Sequence, residues 1–325
     1  VSASDTATQV LDRLRVAVVG AGAIGGVLGA RLQQAGHDVV FLARGATLAA
    51  LATRGIILES IDGDLTLPTV HATDDPDRVG VVDVVLVCVK ATQVAHVAPS
   101  LQPMVGPATA VIPLQNGVEA SALLSAALGD AHVLEGLGRV LVEQVGPGHI
   151  RHTAVTPMIE YGPRAGAPST SAAYRQIPRF AAALRGAGLV AVLPEDMGVA
   201  QWEKFLFIEP IGAVGAAARV PFGIVRSIPE TRALVDRALH EIHAVGQAVG
   251  VAWPADAIVR VWARYDSLPP DGFTSLQRDL MADRPSEFDA QTGAVVRIGR
   301  AHGVATPVHD ALYAVLLPTA QRANH

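Results

Sequence analysis

A single cysteine, Cys88, stands in a chain of 325 residues, so no internal disulfide can form. A cationic surplus is missing too: 25 basic residues face 30 acidic ones, for a net charge of -5. A protein that neutralises a phosphate backbone needs the opposite balance, which argues against nucleic acid as a partner. Long apolar runs are also absent. Asp83 interrupts the stretch from Val79 to Val89, Arg185 interrupts the one from Ala181 to Leu193, and neither reads as a membrane span. The opening Val1-Ser-Ala-Ser-Asp-Thr-Ala-Thr8 lacks the basic and then apolar order of a secretion signal and reads as a flexible tail. With the lone thiol, this points to the cytoplasm. Cys88 lies inside the apolar run Val84 to Val89, which suits packing better than nucleophilic chemistry. No repeat and no low-complexity tract breaks the chain.

What is present is an α/β rhythm. Aromatics are only 4% of the chain, but half of it is hydrophobic, which is ordinary for this class. The length suits two domains. From Arg15 to about Leu193, β-branched runs alternate with Ala/Leu-rich amphipathic stretches, the pattern of βαβ units on a parallel sheet. Strands are expected at Arg15 to Val19, Val39 to Ala43, Val84 to Val89 and Ala110 to Leu114. Ile56 to Leu58 and Leu65 to Leu67 flank Asp62-Gly63, a hairpin signal that predicts a small antiparallel insertion. Strand-like pieces at Gly138 to Glu143, His149 to Thr153 and Met158 to Tyr161 are expected to extend the sheet at one side. After Pro194 helical spacing takes over, in Gly198 to Ala218, Glu230 to Val249 and Glu287 to His302, with a Pro-rich loop at Leu268 to Gly272. The expected organisation is a tail at residues 1–14, a Rossmann-type doubly wound domain at 15–194, and an all-helical domain at 195–325.

The segment Val16-Ala-Val-Val-Gly20-Ala21-Gly22-Ala23-Ile24-Gly25 sets G-x-G-x-x-G directly after a strand and at the start of a helix. In that context Gly20 permits the tight turn, Gly22 lets a pyrophosphate approach the backbone, and Gly25 lets helix and strand pack closely. A nucleotide cofactor is therefore expected across Gly20 to Gly25. An NAD-preferring site carries an acid at the end of the second strand, whereas this chain has Arg44, whose guanidinium can pair with the 2′-phosphate of NADP. Asp38 comes too early to serve as that acid.

Four further features narrow the reading. Lys90 ends one strand and Gln115-Asn116-Gly117 follows the next, both at the carboxyl edge where ligands bind in open α/β sheets. Trp202-Glu203-Lys204 opens a helix of the second domain, and Ser275 and Glu287 follow in Thr274-Ser-Leu-Gln-Arg-Asp and Arg284-Pro-Ser-Glu-Phe-Asp. This set, from about Arg15 to Pro318, resembles the ketopantoate reductase (2-dehydropantoate 2-reductase) family, which serves pantothenate biosynthesis. The resemblance implies hydride transfer from NADPH to the carbonyl of a 2-oxo acid, giving a 2-hydroxy acid, with Lys204 as general acid. It further implies that Asn116 holds the nicotinamide ribose region and that Lys90 helps define the cofactor and substrate end of the site. Ser275 would orient the substrate carboxylate, and Glu287 would bond a substrate hydroxyl or the cofactor-side network. The duller readings are a solvated helix lysine at 204, a turn asparagine at 116 and a first-turn helix carboxylate at 287 capped by Ser286.

The family usually has asparagines four and eight residues after that lysine and another in the following loop. Here Ile208, Gly212 and Phe222 stand there, which predicts a substrate pocket suited to a larger or more apolar carbonyl compound. An imine reductase and a non-catalytic NADP(H)-sensing protein are the alternatives. His240 and His243 with Glu241 have a spacing a metal site could use, but no third ligand is evident and no metal is expected. Tyr161, Tyr265 and Tyr313 form no Tyr-x-x-x-Lys pattern, which disfavours a short-chain dehydrogenase mechanism. A homodimer is the expectation from general frequency alone.

Overall fold

The computed structural model describes residues 12–168 and 170–322; most of the expected N-terminal tail lies outside them. In chain order the first part holds β1 (Arg15–Val19), α1 (Ala23–Gln34), β2 (Asp38–Leu42), α2 (Gly45–Arg54), β3 (Ile56–Ser60), β4 (Leu65–Leu67), β5 (His71–Thr73) and β6 (Val82–Val87). There follow α3 (Ala91–Val97), β7 (Val105–Pro113), α4 (Ala120–Leu128), β8 (Glu135–Gly146), β9 (His149–Gly162), α5 (Gln176–Gly186) and β10 (Val190–Val192). The remainder is helical: α6 (Met197–Ala218), α7 (Phe222–Ser227), α8 (Pro229–Ala248), α9 (Ala257–Ser267), α10 (Ser275–Met281), α11 (Ala294–Ala301) and α12 (Pro307–Arg322).

The chain divides into two compact units. One takes the residues up to Val89 with Val97–Leu114 and Ser125–Leu193; the other takes Lys90–His96, Gln115–Leu124 and the chain from Pro194 on. The first unit is built on a five-stranded sheet in the order β5-β2-β1-β6-β7 with every neighbouring pair parallel. Its central strands read as unbroken apolar runs because both faces are covered: Val16 to Val19 and Val84 to Val87 are all buried.

The strand-like pieces after Gly138 do not extend this sheet. They form a second one, β10-β9-β3-β4 with β8 also on β9, and the hairpin at Asp62-Gly63 joins it through a parallel β3–β9 pairing. The pieces His149 to Thr153 and Met158 to Tyr161 are one strand, β9, which passes Val155 at φ 59° where the register with β8 shifts. Edge strand β5 is too short to show in the sequence. Helix α1 packs against both sheets, which explains its glycines. A Cβ at Gly29 would meet the Phe41 ring of β2 at 2.4 Å, and one at Gly26 would meet Ile150 of β9 at 2.5 Å.

In the second unit α6 is the central element, buried from Glu209 to Ala216 and packed on α8, α10 and α12. Its Trp202, Phe205 and Leu206 share a core with Val235, Leu239 and Ile242 of α8 and Tyr265 of α9. The helix expected from Glu287 instead begins with a π-helical turn at Asp289–Gly293 before α11. Gly293 allows that turn, since a Cβ there would lie 2.7 Å from Asp289 Oδ1 and 2.9 Å from both Arg297 and Tyr313. Among the described residues no helix is long and apolar enough to cross a membrane.

Candidate active site

The glycine-rich turn joins β1 to α1, and its three motif glycines are required for different reasons. Gly20 has φ +98°, and a Cβ there would come within 2.8 Å of Val89 N. At Gly25 a Cβ would lie 2.1 Å from the Gly20 carbonyl oxygen, so the turn closes only without one. Gly22 differs. It is the N-cap of α1 at φ -78°, and the nearest atom to a Cβ there is Gln144 Oε1 at 3.9 Å. Nothing in the protein demands glycine at that position, so the open approach points to a ligand outside the chain. The N–H groups of Ala23, Ile24 and Gly25 head the helix, where backbone donors have no intrahelical acceptor. A cradle open at Gly22 and lined by such donors fits the diphosphate of a dinucleotide.

Opposite phenotypes are expected for two alanine substitutions in this turn. Gly25→Ala is expected to unfold the domain or lower its stability by several kcal/mol, because the clash is with backbone. Gly22→Ala should keep the wild-type unfolding midpoint yet lose at least tenfold in nucleotide affinity, read by thermal unfolding and fluorescence titration with NADPH.

Arg44 occupies the N-cap position of α2 just beyond β2. It is exposed, and its guanidinium makes no hydrogen bond or ion pair among the described residues. Cys88 packs against the sheet core, and burial pushes its thiol up to about 12, which leaves no nucleophile there.

The other candidates gather in the second unit. The Glu287 carboxylate accepts from the Asn116 amide (Nδ2 to Oε2, 2.8 Å) and from the Ala91 backbone N–H (3.1 Å to Oε1). Lys90, immediately before, donates to Asp279 Oδ2 and to the Pro285 carbonyl, both at 2.6 Å. Gly117, at φ +106°, lets the chain turn against Ala290, whose carbonyl oxygen would lie 2.5 Å from a Cβ there. Asn116 and Glu287 are thus bonded directly across a long stretch of sequence, and Lys90 reaches the same segment by a separate bond to Pro285, two residues before Glu287. Ser275 is the first residue of α10, exposed, and Thr274 before it closes a capping box with Gln277. Glu287 is half-buried just before the helical turn at 288, and its carboxylate accepts from the N–H of Ala91, the first residue of α3.

Lys204 lies in the second turn of α6, a helix capped by Asp196, whose Oδ1 accepts from Val199 N at 3.0 Å. It is half-buried. Gln201, three residues earlier and so on the same face, donates to the Gly117 carbonyl at 3.2 Å and ties α6 to the Asn116 turn. Sequence reading missed Gln201; its spacing from Lys204 was the available signal. Further along, Pro210 removes a helical donor from the Leu206 carbonyl. The buried Tyr265 hydroxyl compensates, donating at 2.7 Å to Phe207 O with Leu206 O at 3.4 Å.

A family model described as "Ketopantoate reductase PanE/ApbA" matches residues 16–166, and one described as "Ketopantoate reductase PanE/ApbA C terminal" matches 196–319. The chain belongs to the ketopantoate reductase family. It is 32% identical to the 2-dehydropantoate 2-reductase of Mycobacterium tuberculosis, over 93% of this chain and 96% of that protein. Against the enzyme of the same name from Nostoc sp. it is 29% identical, over 93% and 94%. The crystal structure of the PanE/ApbA family ketopantoate reductase from Ralstonia eutropha superposes with a TM-score of 0.85 at 29% identity, covering 96% of this chain and 100% of that one. The chain is thus an NAD(P)-dependent oxidoreductase of the ketopantoate reductase type, with the Rossmann-like sheet and helical C-terminal domain expected of it.

Within this family member the three positions that usually carry asparagine are placed differently from one another. Ile208 is half-buried, one turn beyond Lys204 on the same helix face. At Gly212 a Cβ would lie 3.0 Å from Thr274 Oγ1, so glycine there lets the start of α10 approach α6. Phe222 is buried in the helical core, and its N–H donates to Gly272 O at 3.0 Å. Packing accounts for these last two residues. The His240, Glu241 and His243 trio does not assemble: His240 turns to Asp236, His243 stacks on Trp253, and Glu241 points to His309. Among the described residues no group of three or more His, Cys, Asp or Glu could hold a metal.

Proposed function

We propose that this chain reduces the carbonyl of a 2-oxo acid of the ketopantoate type with NADPH, yielding the 2-hydroxy acid, with Lys204 as the general acid. The observation that carries this reading is the Asn116–Glu287 bond, with Lys90 bonded to Pro285 beside it, within the unit that also holds Lys204, in a chain that matches the family along most of its length. When bound, NADPH supplies the hydride. The residues of this chain then have to manage charge. A carbonyl that accepts hydride becomes an alkoxide, which an ammonium at hydrogen-bonding distance stabilises and protonates; Lys204 is assigned that proton. Lys90 supplies a cation and Ser275 a hydroxyl for the carboxylate end of the substrate. Glu287, held by Asn116 and Ala91, presents a fixed acceptor for a substrate hydroxyl or for the ribose region of the cofactor.

Preference for NADPH rests on Arg44, exposed and unpaired at the end of β2, where an acid would select NADH. Arg44→Ala is expected to raise KM for NADPH about 10- to 100-fold, the worth of a charge-assisted pair, with little change for NADH. Equal effects on the two nucleotides would remove the 2′-phosphate from the account. The apolar Ile208 beside Lys204 favours a second reading of the same chemistry, with a bulkier or more apolar 2-oxo acid or ketone as the preferred substrate. NADPH oxidation across a panel of ketopantoate, larger 2-oxo acids, ketones and imines separates the two readings by specificity constant, and no turnover on any member would favour the NADP(H)-sensing alternative. A cytoplasmic homodimer is the proposed setting.

A further inference from the structure

Asp279 belongs to none of the roles assigned so far, yet it is the residue that holds Lys90. Its Oδ2 lies 2.6 Å from Lys90 Nζ and its Oδ1 3.3 Å from Arg284, while the Pro285 carbonyl takes a second Lys90 donor at 2.6 Å. The Asp279 side chain is 18% exposed against 44% for Lys90, so the carboxylate is the fixed partner and the lysine the more mobile one. Asp279 also lies four residues after Ser275 in α10, which sets the two on one helix face a turn apart.

We propose that Asp279 is a positioning residue that aims Lys90 at an anionic oxygen of the ligand, a carboxylate or a phosphate; this rests on the reading of Lys90 as a ligand-binding residue. An ammonium has three donors, and two are committed here to protein acceptors in fixed places. The direction of the third is therefore set by the protein. A lysine on a four-carbon stem otherwise loses substantial rotamer freedom when it meets a ligand, and ordering it beforehand removes that cost from binding. The negative charge of Asp279 opposes an incoming anion, but Arg284 shares that charge at Oδ1 and solvent screens the half-exposed pair, so orientation outweighs repulsion.

The sequence contains two lysines, Lys90 and Lys204, so lysine-selective isotope labelling gives one side-chain NMR signal for each, assigned with Lys90→Arg. The test compares wild type, Asp279→Ala, Asp279→Asn, Asp279→Glu and Lys90→Met in steady-state kinetics with NADPH, NADH, ketopantoate and a neutral ketone, and in NMR with NADP+ as the added probe. In Asp279→Ala the Lys90 signal should move to the position of a mobile, solvated lysine. The KM of the ligand that meets Lys90 should rise about tenfold with kcat within about twofold, and Asp279→Glu should recover part of the loss. A rise for NADPH alone assigns the 2′-phosphate, for both nucleotides the diphosphate, and for the 2-oxo acid but not the ketone the carboxylate. If Lys90→Met raises KM while Asp279→Ala leaves KM and the Lys90 signal unchanged, the proposal is wrong and the reading of Lys90 stands. Should Lys90→Met change no KM, both fail. If the alanine variant does not fold, the isosteric Asp279→Asn decides by the same Lys90 signal and KM.

Discussion

Lys204→Ala is expected to lower kcat about 10²- to 10⁴-fold, the usual contribution of a positioned general acid, with KM for NADPH nearly unchanged. Lys204 is fixed in the second turn of a helix whose start is capped by Asp196 and whose preceding turn is tied to the Asn116 loop through Gln201. The side chain therefore has a defined origin, and its loss would remove the proposed proton donor while leaving the cap and the Gln201 tie in place. A small exogenous amine should restore part of the rate in the alanine variant, because the missing group is an ammonium. A drop in kcat that no amine rescues, accompanied by a lower unfolding midpoint, would mean that Lys204 serves packing. Gln201→Leu should give a smaller loss in kcat, since it loosens the Asn116 turn but leaves the acid in place.

The second large effect concerns stability and its pH dependence. His309 is fully buried between two carboxylates: Nδ1 lies 2.6 Å from Glu241 Oε2 and Nε2 2.9 Å from Glu209 Oε2. Glu209, equally buried, also accepts from Thr292 Oγ1 at 2.7 Å, and Glu241 caps α12 by accepting from Val308 N and His309 N. Burial alone would lower the imidazole's affinity for its proton, but the two carboxylates overcome it and raise the group to about 9. The same contacts hold Glu241 below the usual carboxylate range against the opposing effect of burial. Since the folded value exceeds the unfolded one of 6.5, the stabilisation is fully present below about pH 6.5 and is lost as pH rises through about 9. It amounts to about 3 kcal/mol. His309→Leu leaves two carboxylates without their shared cation and should cost about 3–5 kcal/mol in urea unfolding at pH 7. The wild type should lose stability between pH 7 and 10, and the variant should lose that dependence. A flat wild-type profile over this interval would contradict an imidazolium at His309.

How much of this was legible in the sequence depends on the range of the interactions. Local signals carried well: β1 spans the expected Arg15 to Val19, and α6 and α8 fall within a residue of the expected helices at 198–218 and 230–249. The turn at Gly20 to Gly25 was readable because glycine has few substitutes where a Cβ would strike backbone. Pairing was not. Whether β8 and β9 extend the first sheet or found a second depends on partners far along the chain, and alternation within a strand is the same either way. The π turn at 289–293 escaped because its cause is tertiary, the packing of Asp289, Arg297 and Tyr313 around Gly293. Asp279, Gln201 and His309 escaped for a related reason. Each is an ordinary helix residue until its partner is known, and those partners stand 189, 84 and 100 residues away in sequence.

The most direct test of the central claim is a single-turnover reaction of the purified chain, in excess over NADPH deuterated at C4 of the nicotinamide, with ketopantoate and with one bulkier 2-oxo acid. The account predicts substrate-dependent NADPH oxidation with deuterium appearing at C2 of the 2-hydroxy acid, and loss of that transfer in Lys204→Ala. NADPH that binds but stays reduced with both 2-oxo acids would contradict it.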